Sequence, residues 1–159
     1  MIIMDRSFFS LSAVVFSTRM LFSLTGGAGN ANEIMVPFTT ISRGISSRIT
    51  AQSFLTIRTA QEWQDLWHKH ASNSPTPPPL PAVDFSRKMV IAIFLGTKPT
   101  GGYGVEILRV KMSGDKLLAL YKETVPPRGA MVTQVLTQPY HMIKIQQSSV
   151  EVIFQQERD

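Results

Sequence analysis

The 159-residue chain contains no cysteine. That excludes disulfides, thiolate metal ligands, cysteine nucleophiles, thiol redox switches and acylation at an N-terminal Cys. Charge is sparse as well. Charged residues make up 17% of the chain against 43% hydrophobic, too apolar a balance for a disordered segment. The acidic residues are scattered singly, so no paired carboxylate system is visible along the chain. Histidine is limited to His68, His70 and His141. The first two lie two apart on a predicted helix, about 200° around its axis, so they do not share a ligand. All three read as ordinary surface or interface histidines, and no metal is expected. Neither H-E-x-x-H nor G-x-S-x-G occurs, the spacings that would mark a zinc protease or a serine hydrolase. The chain is therefore read as not an enzyme and as needing no cofactor. An enzyme with a site assembled only in three dimensions is kept as an alternative.

What is present begins with an address. Residues 8–16 (FFSLSAVVF) form an apolar run of signal-peptide length, and the small residues Gly29 and Ala31 offer side chains that a signal peptidase accepts. Arg19 splits the longer run, which suits a membrane-spanning helix of about 20 apolar residues poorly. Residues 1–31 are read as a cleaved signal peptide, with an uncleaved anchor, or a mis-assigned start or cytosolic tail, as the alternatives, and residues 32–159 as the mature domain. Membrane contact is expected only if the N-terminal segment stays uncleaved. Removing Asp5, Arg6 and Arg19 lowers the formal charge from +5 to +4. A domain of this size buries roughly two-thirds of its unfolded surface and folds without disulfides or metals.

Residues 34–41 (IMVPFTTI) have strand composition, with Pro37 suited only to an edge. Ser42, Arg43 and Gly44 read as a turn, and residues 48–58 as a second strand. Thr59-x-x-Glu62 is a capping box opening a helix whose Trp63, Leu66, Trp67 and His70 recur on one stripe. Five prolines within residues 73–81 exclude helix and central strand there, leaving an extended solvated loop. Residues 89–95 (MVIAIFL) are seven apolar residues without a break, fitting a strand buried on both faces. Residues 105–112 and 117–123 predict a hairpin around Ser113-Gly114-Asp115, and residues 131–136, 140–145 and 150–154 three further strands. With no regular βαβ alternation, the fold class is α+β: a mostly antiparallel sheet or sandwich of about eight strands with one packed amphipathic helix.

Three features invite ligand readings. Residues 96–102 look superficially like a phosphate loop, but Tyr103-Gly104 stands where Lys-Ser/Thr is needed and no helix follows, so no nucleotide is expected. The glycine pair retains the option of a small amide nest for a carboxylate. Six cations lie between Lys98 and Arg128. They lack the density and interleaved aromatics of a nucleic-acid face, so no nucleic acid is expected and the stretch reads as a solvated polar face. Trp63 and Trp67, at i and i+4 beside Leu66, read as core anchors in preference to a sugar-stacking pair.

Several segments together carry a resemblance. They are Glu62-Trp63-x-x-Leu66-Trp67, Val83-Asp84-Phe85-Ser86, Phe94-Leu95-Gly96, Lys98-Pro99-Thr100-Gly101-Gly102-Tyr103, Val125-Pro126-Pro127 and Leu136-Thr137-Gln138-Pro139-Tyr140-His141. In this order they resemble the C-terminal domain of PrcB-type protease-complex subunits, over roughly residues 54–145. The resemblance implies a non-catalytic envelope protein that binds and stabilises a subtilisin-like protease, with no catalytic residues to carry over. Many members are lipoproteins, and this chain departs from them in having no Cys to acylate. A periplasmic or secreted location without a lipid anchor follows as the expectation.

A glycine pair leaving a buried strand permits φ > 0 and a tight turn, and a rigid loop loses little entropy on docking. Pro99, Thr100, Gly101, Gly102 and Tyr103 are therefore taken as the partner-binding loop. Pro127, Arg128 and Gly129, with Pro139 and Tyr140, are taken as flanking loops. The expected partner is a protein, and the resemblance points to a protease. The loop also looks like the Pro-Thr-Thr-Gly-Tyr loop of chagasin-type inhibitors, so a loop-based protease inhibitor is the second reading.

Overall fold

In the computed structural model, which describes residues 33–72 and 75–157, the apolar run in the middle of the sequence lies in the middle of the molecule. It forms β4 (Lys88–Leu95), with Met89 to Phe94 fully buried. Alternation along the strand sends Met89, Ile91, Ile93 and Leu95 to one core and Val90, Ala92 and Phe94 to another. A strand that must satisfy two cores has no polar face, which is why its sequence shows no alternation.

The other elements are β1 (Glu33–Val36), β2 (Thr39–Gly44), β3 (Gln52–Ile57), α1 (Ala60–Ala71), β5 (Gly104–Ser113), β6 (Lys116–Thr124), β7 (Tyr140–Gln146) and β8 (Glu151–Gln156). They build two four-stranded sheets, ordered β1-β5-β6-β8 and β2-β7-β4-β3. Every pairing is antiparallel except β6 with β8. The sheets face one another across a core that joins the β4 side chains to Ile107, Val110, Leu117, Ala119 and Ile143. Helix α1 covers the outer face of the second sheet, seating Trp63, Leu66 and Trp67 on Val90, Ala92, Phe94 and Met142. The α+β class, the hairpin β5–β6 and, among the described residues, the single packed helix agree with the sequence.

The helix begins where its sequence says. Thr59 Oγ1 accepts the Glu62 N–H, and the Glu62 carboxylate accepts the N–H groups of Arg58 and Thr59. These bonds to the charged form hold the Glu62 carboxyl below its ordinary pKa. The Trp63 and Trp67 indoles are both buried and each donates Nε1–H outward, to the carbonyls of Pro81 (2.9 Å) and Pro78 (3.1 Å). The proline-rich segment is thus tied to the helix at two points three residues apart, one turn of a polyproline helix.

Three local expectations are corrected. Residues 34–41 are two strands in different sheets, split at Pro37 and Phe38; Pro37 has no N–H for a ladder, and the chain changes sheet there. Ser42, Arg43 and Gly44 are part of β2, paired with residues 140–142. Residues 131–136 form no strand, and Met131, Val135 and Leu136 are exposed. Among the described residues the total of eight strands matches because one expected strand divides and another is absent. The signal-peptide reading of residues 1–31 falls outside the described residues.

Candidate functional site: the loop end of the sandwich

Strand β4 leaves its core at Gly96, whose φ of 71° puts it in the left-handed region. A Cβ there would lie 2.7 Å from the Thr50 carbonyl oxygen and 2.8 Å from the Gln52 nitrogen. Only glycine fits between two backbones at that spacing. The chain then enters the Lys98–Tyr103 turn, and the 125–139 segment closes over it. Lys98 and Thr137 exchange both backbone hydrogen bonds, at 2.7 and 3.0 Å. Gly101 N–H donates to the Thr133 carbonyl at 2.9 Å, and Thr137 Oγ1 donates to the Thr100 carbonyl at 2.9 Å. Further along, Gln138 N–H donates to Ile45 O, and Leu95 N–H to Pro139 O.

Two of the candidate loops therefore meet at one end of the sandwich, and the β2–β3 connection joins them through Ile45. The glycines have separate reasons. Gly101 is buried, and any Cβ would collide with Thr133 Oγ1. Gly102 is exposed with φ 84°, and its Cβ would sit 2.9 Å from Pro126. The Gly101 amide is held by Thr133, so it is not one arm of an anion nest. Tyr103 is half-buried, with Lys98 Nζ 5.8 Å from its ring centroid, inside cation–π range.

Pro127, Arg128 and Gly129 form an exposed turn, closed by Ala130 N–H on Pro127 O and with Gly129 at φ 80°. Pro139 and Tyr140 are buried. Tyr140 belongs to the helix-side core, edge-on to His70 at 4.4 Å and bonded through its hydroxyl to Ser42 Oγ at 3.0 Å. At this end they supply support, and the exposed apolar side chains come from residues the sequence reading took for a strand or passed over. Val125, Met131, Val135 and Leu136 are exposed apolar side chains on the segment that covers the glycine loop, and exposed Ile45 joins it through Gln138. The order Met-Val-Thr-Gln-Val-Leu at residues 131–136 lacks a strand's two-residue alternation, a signal that was available. A shallow groove of about 310 Å³ runs beside Tyr103, between Arg43, Ile45 and Thr124.

His70 and His141 are buried, in contrast to the surface or interface placement expected. His141 Nδ1 accepts the Ile107 N–H at 2.8 Å, so its proton sits on Nε2, which meets Thr40 Oγ1 at 2.9 Å. Burial, assisted by the nearby Arg43 cation, pushes its pKa down to about 4, with Glu106 opposing. His70 Nδ1 shares a 2.9 Å hydrogen bond with Ser47, and burial lowers its pKa. Both imidazoles are neutral and engaged inside the fold. Among the described residues no group of His, Asp and Glu is placed to hold a metal ion.

Against this geometry, residues 89–146 match the family model described as PrcB C-terminal. The match covers less than half of the chain and marks a similarity of that segment to the PrcB C-terminal family. The match runs from β4 through β7 and takes in the glycine turn and the 125–139 segment packed on it. It begins at residue 89, so the helix and the Val83-Asp84-Phe85-Ser86 motif lie before it. No curated protein and no solved structure matches the chain.

Proposed function

We propose that this chain is a PrcB-like, non-catalytic protein-binding domain of the periplasm or cell exterior, which docks on a protease through the loop end of its sandwich. The observation that carries the reading is the pairing of a rigid backbone with an apolar surface. The Lys98–Tyr103 turn is locked to the 125–139 segment by four hydrogen bonds, three of them between backbone groups. Beside it stand Ile45, Val125, Met131, Val135 and Leu136. Isolated exposed apolar residues are ordinary, but several on one preorganised loop system suit a protein partner. The PrcB family supports a protease as that partner.

The test uses Met131→Asp and Leu136→Asp together, because both side chains are exposed and neither change disturbs the core. Immobilised wild-type chain is expected to retain a subtilisin-like protease co-expressed from the same source, and the double variant to lose it at an unchanged melting temperature. Equal retention by both proteins would remove the loop end from the interface. The convergence of loops at one end also suits direct inhibition in the chagasin manner. Assaying the captured protease separates the two, since a stabilising subunit preserves turnover and an inhibitor abolishes it.

A further inference from the structure

At the opposite end of the second sheet lies a feature the loop-end reading does not use. A groove of about 610 Å³ opens between the N-terminal turn of α1 and the chain leading into β4. Its walls are Ala60 and Trp63 on one side and Leu80, Pro81, Val83 and Phe85 on the other. Lys88 and Lys144 also line it. Both project from the helix-side face of the sheet, since Lys144 is registered with Val90 and Lys88 with Gln146 on adjacent strands.

The walls are fixed before any ligand arrives. Trp63 Nε1–H holds the Pro81 carbonyl, Gln147 Nε2–H reaches the Phe85 carbonyl, and Asp84 turns the chain by accepting the Arg87 and Lys88 N–H groups. Asp84 also lines the groove. Its Oδ1 is occupied by Ser86 N–H and Oγ–H, bonds that hold its carboxyl below the ordinary pKa and keep it ionised. Neither lysine forms an ion pair among the described residues; Lys88 Nζ has only the Gln146 amide oxygen at 3.4 Å. The cavity is thus apolar along its length, of ligand size, and carries two ammonium groups against one engaged carboxylate.

We propose that this groove binds a medium-chain aliphatic carboxylate, with the alkyl chain along Trp63, Leu80, Pro81 and Phe85 and the carboxylate between Lys88 and Lys144. At Pro81 and Phe85 an aliphatic chain is favoured over a peptide, since Pro81 has no N–H and both carbonyls are already bonded. The attraction of a carboxylate to two ammonium groups beside low-dielectric walls fixes orientation, and the chain supplies the affinity.

Decanoate, kept below its micelle concentration, is titrated calorimetrically into the full chain alongside decyltrimethylammonium and an acetylated tri-leucine peptide. Saturable decanoate binding is expected, weakened about tenfold or more by Lys88→Glu with Lys144→Glu, and none with the cationic amphiphile. Three results would overturn the proposal: no saturable decanoate binding, equal binding of the cation, or tighter binding of the peptide. The charge-reversed ligand tests the unmodified protein, so the conclusion does not depend on how well the double variant folds. The Met131→Asp/Leu136→Asp protein should bind decanoate normally, which keeps this outcome separate from that of the loop end.

Discussion

At the scale of single residues, the glycines separate by what surrounds them. Gly96 combines φ 71° with backbone on two sides, whereas Gly129 has φ 80° and nothing within 4 Å of a notional Cβ. Left-handed backbone costs a non-glycine residue about 1–2 kcal/mol, and Gly96, unlike Gly129, adds a clash with backbone that side-chain rotation cannot relieve. Gly96→Ala is therefore expected to lose roughly 3 kcal/mol or more in urea unfolding, and Gly129→Ala about 1 kcal/mol. Similar losses at the two positions would contradict the backbone-approach account. Gly101 stands between them, since its neighbour is the side chain of Thr133, which can turn away.

At the scale of elements, α1 and the proline-rich segment form one unit. Trp63→Phe or Trp67→Phe keeps most of the packing and deletes one indole N–H. Each substitution is expected to cost about 1 kcal/mol and, more tellingly, to speed proteolytic cleavage within residues 75–81. Unchanged cleavage would mean that the indole bonds do not restrain the segment. These elements also show where the sequence was legible. The capping box, the tryptophan stripe and the unbroken apolar strand each state their partner locally, by a fixed offset or by the lack of a polar face. Residues 131–136 did not, because apolar composition alone does not say whether a side chain faces a core or a binding surface. The split at Pro37 was half-legible: proline announced an interrupted ladder, but which sheet each half joins depends on partners about 75 and 100 residues away, at Val110 and Lys144. The candidate site was legible in the Lys98–Tyr103 turn and illegible in the exposed apolar residues that flank it in space.

At the scale of the whole molecule, His141 is a tie between the sheets. It reaches from β7 to the backbone of β5, at a bulge between Ile107 and Arg109, and to Thr40 on β2. Its pKa falls from 6.5 to about 4 on folding, so the unfolded chain binds the extra proton first. The stability it contributes is full above pH 6.5 and lost as pH falls toward 4. At about 1.4 kcal/mol per pKa unit the loss is on the order of 3 kcal/mol. His70, lowered by burial, adds in the same direction. Chemical denaturation between pH 5 and 6.5 should show stability rising with pH, and His141→Gln should flatten that slope while leaving the His70 share. A slope unaltered by the substitution would show that His141 is not the titrating tie. Glu62 and Asp84, whose pKa values are lowered, act below this window.

The order of the first sheet has a kinetic consequence. Its central hairpin, β5 with β6, closes over a two-residue turn, yet both edges are recruited from afar. Glu33 pairs with Ser113 at one edge and Glu151 with Lys116 at the other. The last edge also runs parallel, so its chain must first cross through β7 of the opposite sheet. Closing such spans takes entropy before any contact rewards it. Folding accordingly belongs to the millisecond-to-second regime of non-local β topologies, and until the edges arrive the hairpin's two flanks are open to pairing with other chains.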